Sequence, residues 1–157
     1  MLAVIGCGNS NRSDDGVGVF VAQALLKRLR ARPRDDVRVF DAGTGGMDVM
    51  FQARGASKLI VVDASSSGSP AGAIFEVPGA ELQRDHAPSF SLHDFRWENA
   101  LAAGRLIFRE QFPSDVSVLL IEAQSLSLGL ELSAPVRLAA ERVIADLSEV
   151  IDAYRAG

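Results

Sequence analysis

Asp15, Asp63 and His93 are far apart in the chain, yet their types suit one task. Two carboxylates and one imidazole bind a divalent ion such as zinc or nickel and leave coordination positions open for water or substrate. Each also has an ordinary structural reading. Asp14 and Asp15 open a helix, where carboxylates complement the macrodipole and cap the first turn. That reading accounts for Asp14 better than for Asp15, which Gly16 and Gly18 follow closely. A helix-interior glycine costs roughly 0.5–1 kcal/mol relative to alanine, so two of them imply that something approaches the backbone there. Asp63 alone reads equally well as a turn residue closing a strand. His93 stands at a helix entry, where the positive helix end disfavours imidazolium and leaves a neutral ring with a free lone pair. Its alternative is an exposed polar side chain. A further carboxylate, Asp41, leads into Ala42-Gly43-Thr44-Gly45-Gly46.

These residues need elements that bring them together. Short apolar runs at 2–5, 37–40, 59–62, 73–77 and 116–121 read as buried strands. Helical periodicity starts at Asp14 and carries Val17, Phe20, Val21, Ala24, Leu25 and Leu29 on one stripe. A short helix is expected over 47–53 and a longer one over 92–109, with Ser91 as its cap in a capping-box pattern. A last helix begins at Pro135 and packs Val136, Ala140, Val143, Leu147, Val150 and Tyr154 into the core. Strands alternating with helices predict a single α/β domain over 1–157, a three-layer α/β/α sandwich around a mostly parallel sheet of about five strands. In such sheets ligands bind outside the carboxyl ends of the strands, which is where Asp15, Asp41 and Asp63 fall.

Composition and motifs exclude several classes. A net charge of −4 argues against nucleic acid as the main partner. The basic residues Lys27, Arg28, Arg30 and Arg32 sit at a helix C-terminus, where they suit the dipole. With one cysteine, Cys7, no internal disulfide and no cysteine-based zinc knuckle can form. The N-terminus lacks the basic region of a signal peptide, and no apolar run spans a bilayer. The expected compartment is the cytoplasm, with no membrane partner. Gly6-Cys7-Gly8 hints at a dinucleotide site, but position 11 is Asn11 where the third glycine belongs, and Asp14 and Asp15 would repel a pyrophosphate. Asp41 also lies later than the ribose-binding acid of that fingerprint. Cys7 reads as a small buried hydrophobe, and Ser65, Ser66 and Ser67 as loop residues, since no nucleophile elbow is present.

Gly6-x-Gly8-Asn9, Asp14-Asp15-Gly16-Val17-Gly18, Asp41-Ala42-Gly43-Thr44-Gly45-Gly46-Met47 and Val62-Asp63-Ala64, in this order, resemble the hydrogenase maturation proteases. His93 at its helix entry and Gly129-Leu130-Glu131-Leu132-Ser133 extend the similarity over nearly the whole chain. The resemblance implies an endopeptidase that removes the C-terminal extension of a [NiFe] hydrogenase large-subunit precursor after nickel insertion. It implies Asp15, Asp63 and His93 as contacts to nickel supplied by the substrate, with zinc or cadmium as stand-ins in vitro. It also implies a role for Asp41 in cleavage and for Gly43, Thr44 and Gly45 in substrate binding, in a monomer or weak oligomer. One departure is Ala123-Gln124, where family members often carry Pro-Glu.

Two mechanisms fit these residues. Either the metal both docks the tail and assists cleavage, or it serves recognition only and Asp41 acts as general base. Two other classes stay open from sequence: a non-enzymatic nucleotide- or anion-binding module, and a processing peptidase for another precursor. Of the two histidines, His86 falls in an irregular stretch and has no assigned role. Precursor cleavage followed by intact mass is expected to be unchanged in His86→Ala; an inactive variant would mean that the wrong histidine had been assigned.

Overall fold

The computed structural model describes residues 1–80 and 96–157. His86, His93 and the Ser91 cap of the expected helix therefore lie outside the described residues. The chain runs β1 (Leu2–Cys7), a 3-10 turn (Ser13–Gly16), α1 (Val17–Ala31), β2 (Val37–Gly43), α2 (Gly46–Ala53), β3 (Lys58–Ser65), β4 (Ile74–Pro78), α3 (Trp97–Phe108), β5 (Asp115–Glu122) and α4 (Ala134–Ala153). The strands form one sheet in the order β2-β1-β3-β5-β4. β1, β2, β3 and β5 pair in parallel, and β4 closes one edge antiparallel to β5.

Strand alternation divides the core in two. Leu2, Val4, Val37, Val39, Ile60 and Val62 face α1 and α4, where they meet Val17, Val21, Leu25, Val136 and Val143. Ala3, Ile5, Leu59, Val61, Val116 and Val118 face α2 and α3 against Val49, Met50, Ala53 and Leu101. Helices on both faces of a parallel sheet explain why the central strands are apolar on both sides. The expected three-layer α/β/α architecture is thus observed.

The strands run one to three residues beyond the apolar runs that mark them in sequence. β2 continues through Asp41 to Gly43 and β3 through Asp63 to Ser65. Asp63 is therefore a residue within a strand and not a turn residue. The stretch starting at Asp14 is a 3-10 turn, and α1 proper begins at Val17.

Gly16 and Gly18 prove to be packing residues. A Cβ on Gly18 would collide with the carbonyl oxygens of Val62 and Cys7, and one on Gly6 would stand 2.7 Å from the Ala22 Cβ and collide with the Gly18 carbonyl. Gly16 lies against Ser10 in the same way, 2.7 Å from its Cα. The close approach expected at these glycines is thus observed, and what approaches them is the protein's own backbone. Gly18→Ala is expected to destabilise by about 1–3 kcal/mol, the usual cost of overpacking against unyielding backbone. The urea midpoint measures this, and a wild-type midpoint would refute the close packing of α1 on β1 and β3.

Candidate active site

The end of β1 is the pivot of the site. A bulge interrupts its pairing with β2 between Gly6 and Cys7. Gly8 then takes φ +136°, a value that a side chain disfavours, and donates its N–H to the Gly43 carbonyl at 2.8 Å. The 3-10 turn folds back over this point. A Cβ on Gly8 would collide with the Asp15 carbonyl and lie 3.5 Å from Asp63 Oδ1. The bare Gly8 backbone thus lets the Asp15 turn approach the end of β3. The Asp15 side chain is half-buried and accepts the Asn9 N–H on Oδ2 at 3.0 Å.

Asp63 is buried, with 5% of its surface exposed. Its Oδ1 accepts the Ala64 N–H at 2.7 Å and its Oδ2 accepts the Trp97 indole N–H at 2.8 Å. Burial pushes its pKa up to about 7. The Ala64 and Trp97 hydrogen bonds pull against that shift, the Asp15 charge adds to it, and Arg96 opposes it. Cys7 lies beside this group. Burial raises its thiol well above the usual range, and the charges of Asp63, Glu98 and Asp41 raise it further. A thiol held protonated in this way is a poor nucleophile, as its sequence context implied.

Asp41 shares the rim but not the face. Val37 and Val39 put odd positions of β2 toward α1, whereas Leu59 and Val61 put odd positions of β3 toward α2 and α3. Asp41 accordingly meets Gln23 of α1, whose amide donates to Oδ2 at 3.2 Å, and its Oδ1 accepts the Gly43 N–H at 3.0 Å. It lines an open cleft of about 250 Å³ with Gly8, Asn9, Ser10, Val19, Gln23, Gly43 and Thr44. Gly45 stands outside that lining and donates its N–H to the Ala42 carbonyl at 2.8 Å. Strand period therefore gives Asp41 and Asp63 opposite sides of the sheet end, with Gly8 between them.

Asp14 has a role that its sequence position did not disclose. It is fully buried and makes no capping bond. Its carboxylate accepts the N–H groups of Gln124, Ser125 and Ser133 at 2.9, 3.0 and 2.7 Å and the Ser133 hydroxyl at 2.8 Å. Burial alone would raise its pKa, but these donors outweigh burial and hold it below the ordinary carboxylate value. Glu122 is a second such anchor, accepting from Ser65, Ser67 and Gly68. Ser67 thus serves the loop after β3, in keeping with its reading as a loop residue. Ser65, expected in that loop too, is instead the last residue of β3, because the strand extends to pair with Glu122 of β5. Sequence reasoning missed Trp97, Gln23, Glu122 and the Asp14 anchor. Only Trp97 had a local cue, four residues after His93 and so on the same face of the expected helix.

Asp15 and Asp63 provide oxygen donors suited to a divalent cation; burial is the main cause of the raised Asp63 pKa, and the Asp15 charge adds to it. Among the described residues no group of three or more histidine, cysteine or acidic side chains forms a metal cluster. The third expected ligand, His93, lies outside them.

The raised Asp63 pKa carries a signed consequence. In the unfolded chain the group loses its proton near 3.8, and in the folded protein near 7. The contribution of Asp63 to stability is therefore fully present below about pH 4 and declines as pH rises to about 7. In EDTA, Asp63→Asn is expected to be more stable than wild type at pH 8 by on the order of 2–4 kcal/mol, from about 1.4 kcal/mol per pKa unit. The gap should close toward pH 4. Urea melts across this range measure it, and a pH-independent difference would contradict a desolvated Asp63.

Comparison with known proteins agrees with this architecture. The family model described as hydrogenase maturation protease (HycI) matches residues 19–150. The hydrogenase expression/formation protein HoxM of Azotobacter vinelandii is 30% identical over 138 residues. That match covers 87% of this chain but 65% of HoxM, so the chain spans about two thirds of that relative's length. The hydrogenase 2 maturation protease of Escherichia coli is 29% identical over 154 residues, covering 94% of this chain and 91% of that protein. The solved structure of the hydrogenase maturating endopeptidase HybD from E. coli superposes with a TM-score of 0.72 at 25% identity, over 95% of this chain and 93% of HybD. Sequence match and structural match coincide over most of the polypeptide, and the chain belongs to the hydrogenase maturation protease family.

Proposed function

We propose that this protein is an endopeptidase that removes the C-terminal extension of a [NiFe] hydrogenase large-subunit precursor once nickel is in place. The observation that carries this reading is the Asp63 carboxylate, buried at the sheet end beside Asp15 and held near pKa 7. Perturbed carboxylates at such a rim are where ligand chemistry concentrates. The nickel is cargo of the precursor, with zinc or cadmium as stand-ins in vitro, and Asp15, Asp63 and His93 are its contacts on this chain. The cytoplasm fits this role, and among the described residues no helix is long and apolar enough to cross a membrane.

The separation of Asp41 from Asp63 favours a division of labour. Docking of the metal-bearing end on Asp15 and Asp63 fixes the tail in position, a proximity effect. The tail then runs into the cleft lined by Gly43, Thr44 and Asp41. There Asp41 acts as general base: its carboxylate takes a proton from water while the water oxygen attacks the scissile carbonyl. The same proton passes to the leaving amine as the C–N bond breaks. Gln23 and the Gly43 N–H hold the Asp41 carboxylate in place throughout.

A nickel-loaded precursor separates these roles. Asp41→Asn is expected to lower kcat by about 10²–10⁴-fold, the usual range for a lost general base, while leaving nickel-dependent binding of the precursor intact. Asp15→Asn and Asp63→Asn are expected to lose that binding. Binding by calorimetry and cleavage by intact mass measure the two separately. Wild-type cleavage by Asp41→Asn would leave the metal-assisted route, and no cleavage by the wild-type protein would end the peptidase reading.

A further inference from the structure

The loop between β5 and α4 is held rigidly while displaying apolar side chains. Leu128 and Leu130 are each 80% exposed and Leu126 is 38% exposed. The three alternate with Ser127 and Gly129, so the segment presents leucine at every second position. This is not a loose loop. Asp14 accepts the N–H groups at its two ends. Arg12 Nε donates to the Leu126 carbonyl at 3.2 Å, and the Ser13 hydroxyl to the Ser127 carbonyl at 2.8 Å. Backbone bonds join Ser13 N–H to the Gly129 carbonyl and Gly129 N–H to the Asn11 carbonyl. Ordering a loop so firmly while leaving its leucines in water is the pattern of a surface that a partner covers.

The ridge also adjoins the site. Leu130 and Leu132 overhang a pocket of about 120 Å³ lined by Ser10, Gly16, Val19, Phe20 and Gln23. Ser10, Val19 and Gln23 line the Asp41 cleft as well. Cleft and pocket are thus neighbouring parts of one trough, with Asp41 and Thr44 at one end and Phe20, Leu130 and Leu132 at the other. A polypeptide that leaves the cleft through this pocket meets the ridge at Leu130.

We propose that Leu126, Leu128 and Leu130 form a docking surface for an aliphatic segment of the precursor polypeptide, continuous with the tail held in the Asp41 cleft. This rests on the peptidase reading and adds how the substrate is selected: by apolar contacts beside the scissile region, on a surface that Asp14 ties to the turn carrying Asp15. Leu132 is partly buried against the core and belongs to the fold.

The test uses the full-length protein and the nickel-loaded large-subunit precursor with its extension intact. Leu128→Asp and Leu130→Asp, singly and together, are expected to raise KM, at least tenfold in the double variant, and to leave kcat and the unfolding temperature near wild type. Leu106→Asp is the control, because Leu106 is 66% exposed near the far end of α3, away from the end that carries Trp97. It is expected to keep the wild-type KM. An unchanged KM in the double variant while the wild type cleaves normally overturns the docking surface and spares the peptidase reading. An equal rise in Leu106→Asp overturns it too, as does sedimentation showing that the leucines serve a dimer whose loss leaves KM unchanged. Absence of cleavage by the wild type would instead remove the reading on which the proposal rests.

Discussion

Where α1 begins, a helix lies directly on strand backbone. Gly18 fits against the carbonyls of Cys7 and Val62, and Gly6 fits beneath Gly18 and Ala22. No side chain separates the layers there, so the turn just before α1 has little freedom of position. That turn carries Asp14 and Asp15. One carboxylate is directed into the interior toward the β5–α4 loop, and the other stays at the rim near Gly8 and Asp63. The candidate site therefore depends on a steric constraint several residues away, and its precision comes from backbone contacts that cannot relax.

Three buried carboxylates at this end of the sheet show how partners decide what a buried charge does. Asp14 and Glu122 each accept four hydrogen bonds, and both pKa values fall below the ordinary carboxylate range despite burial. Asp63 accepts two among the described residues, too few to offset its burial, and with the Asp15 charge added its pKa rises. The first two are fully satisfied anchors that tie loops to the frame. Asp63 is left short of compensation, which suits a group that completes its environment only when something binds. That contrast marks Asp63 as the candidate functional acid by a physical criterion and not by position alone.

The two faces of the sheet end then carry different acids. Asp63 lies toward α3, under the indole of Trp97. Asp41 lies toward α1, beside Gln23 and the cleft. A substrate that engages both must pass over the end of β1, and the bare Gly8 keeps that passage low. The hydrogen-bonded β5–α4 loop borders the same trough on the α1 side, so the Asp41 cleft and the leucine ridge adjoin one another.

Much of this was legible in the residues alone. Apolar runs ending in Asp41 and Asp63, with helical stripes between them, determined the alternation of elements, the parallel sheet and the rim on which the acids lie, because these follow from local periodicity and chain connectivity. Motif order likewise pointed to the family. The β5–α4 anchor was not legible, since the donors to Asp14 stand at Gln124, Ser125 and Ser133, more than a hundred residues away. The purpose of Gly16 and Gly18 also emerged only from the packing, because a glycine's type does not say what approaches it. The opposite facing of Asp41 and Asp63 required knowing where each strand ends and in what register it pairs. Periodicity is a property of neighbours along the chain, whereas burial, hydrogen-bond satisfaction and proton affinity are set by neighbours in space, and only the tertiary structure decided those.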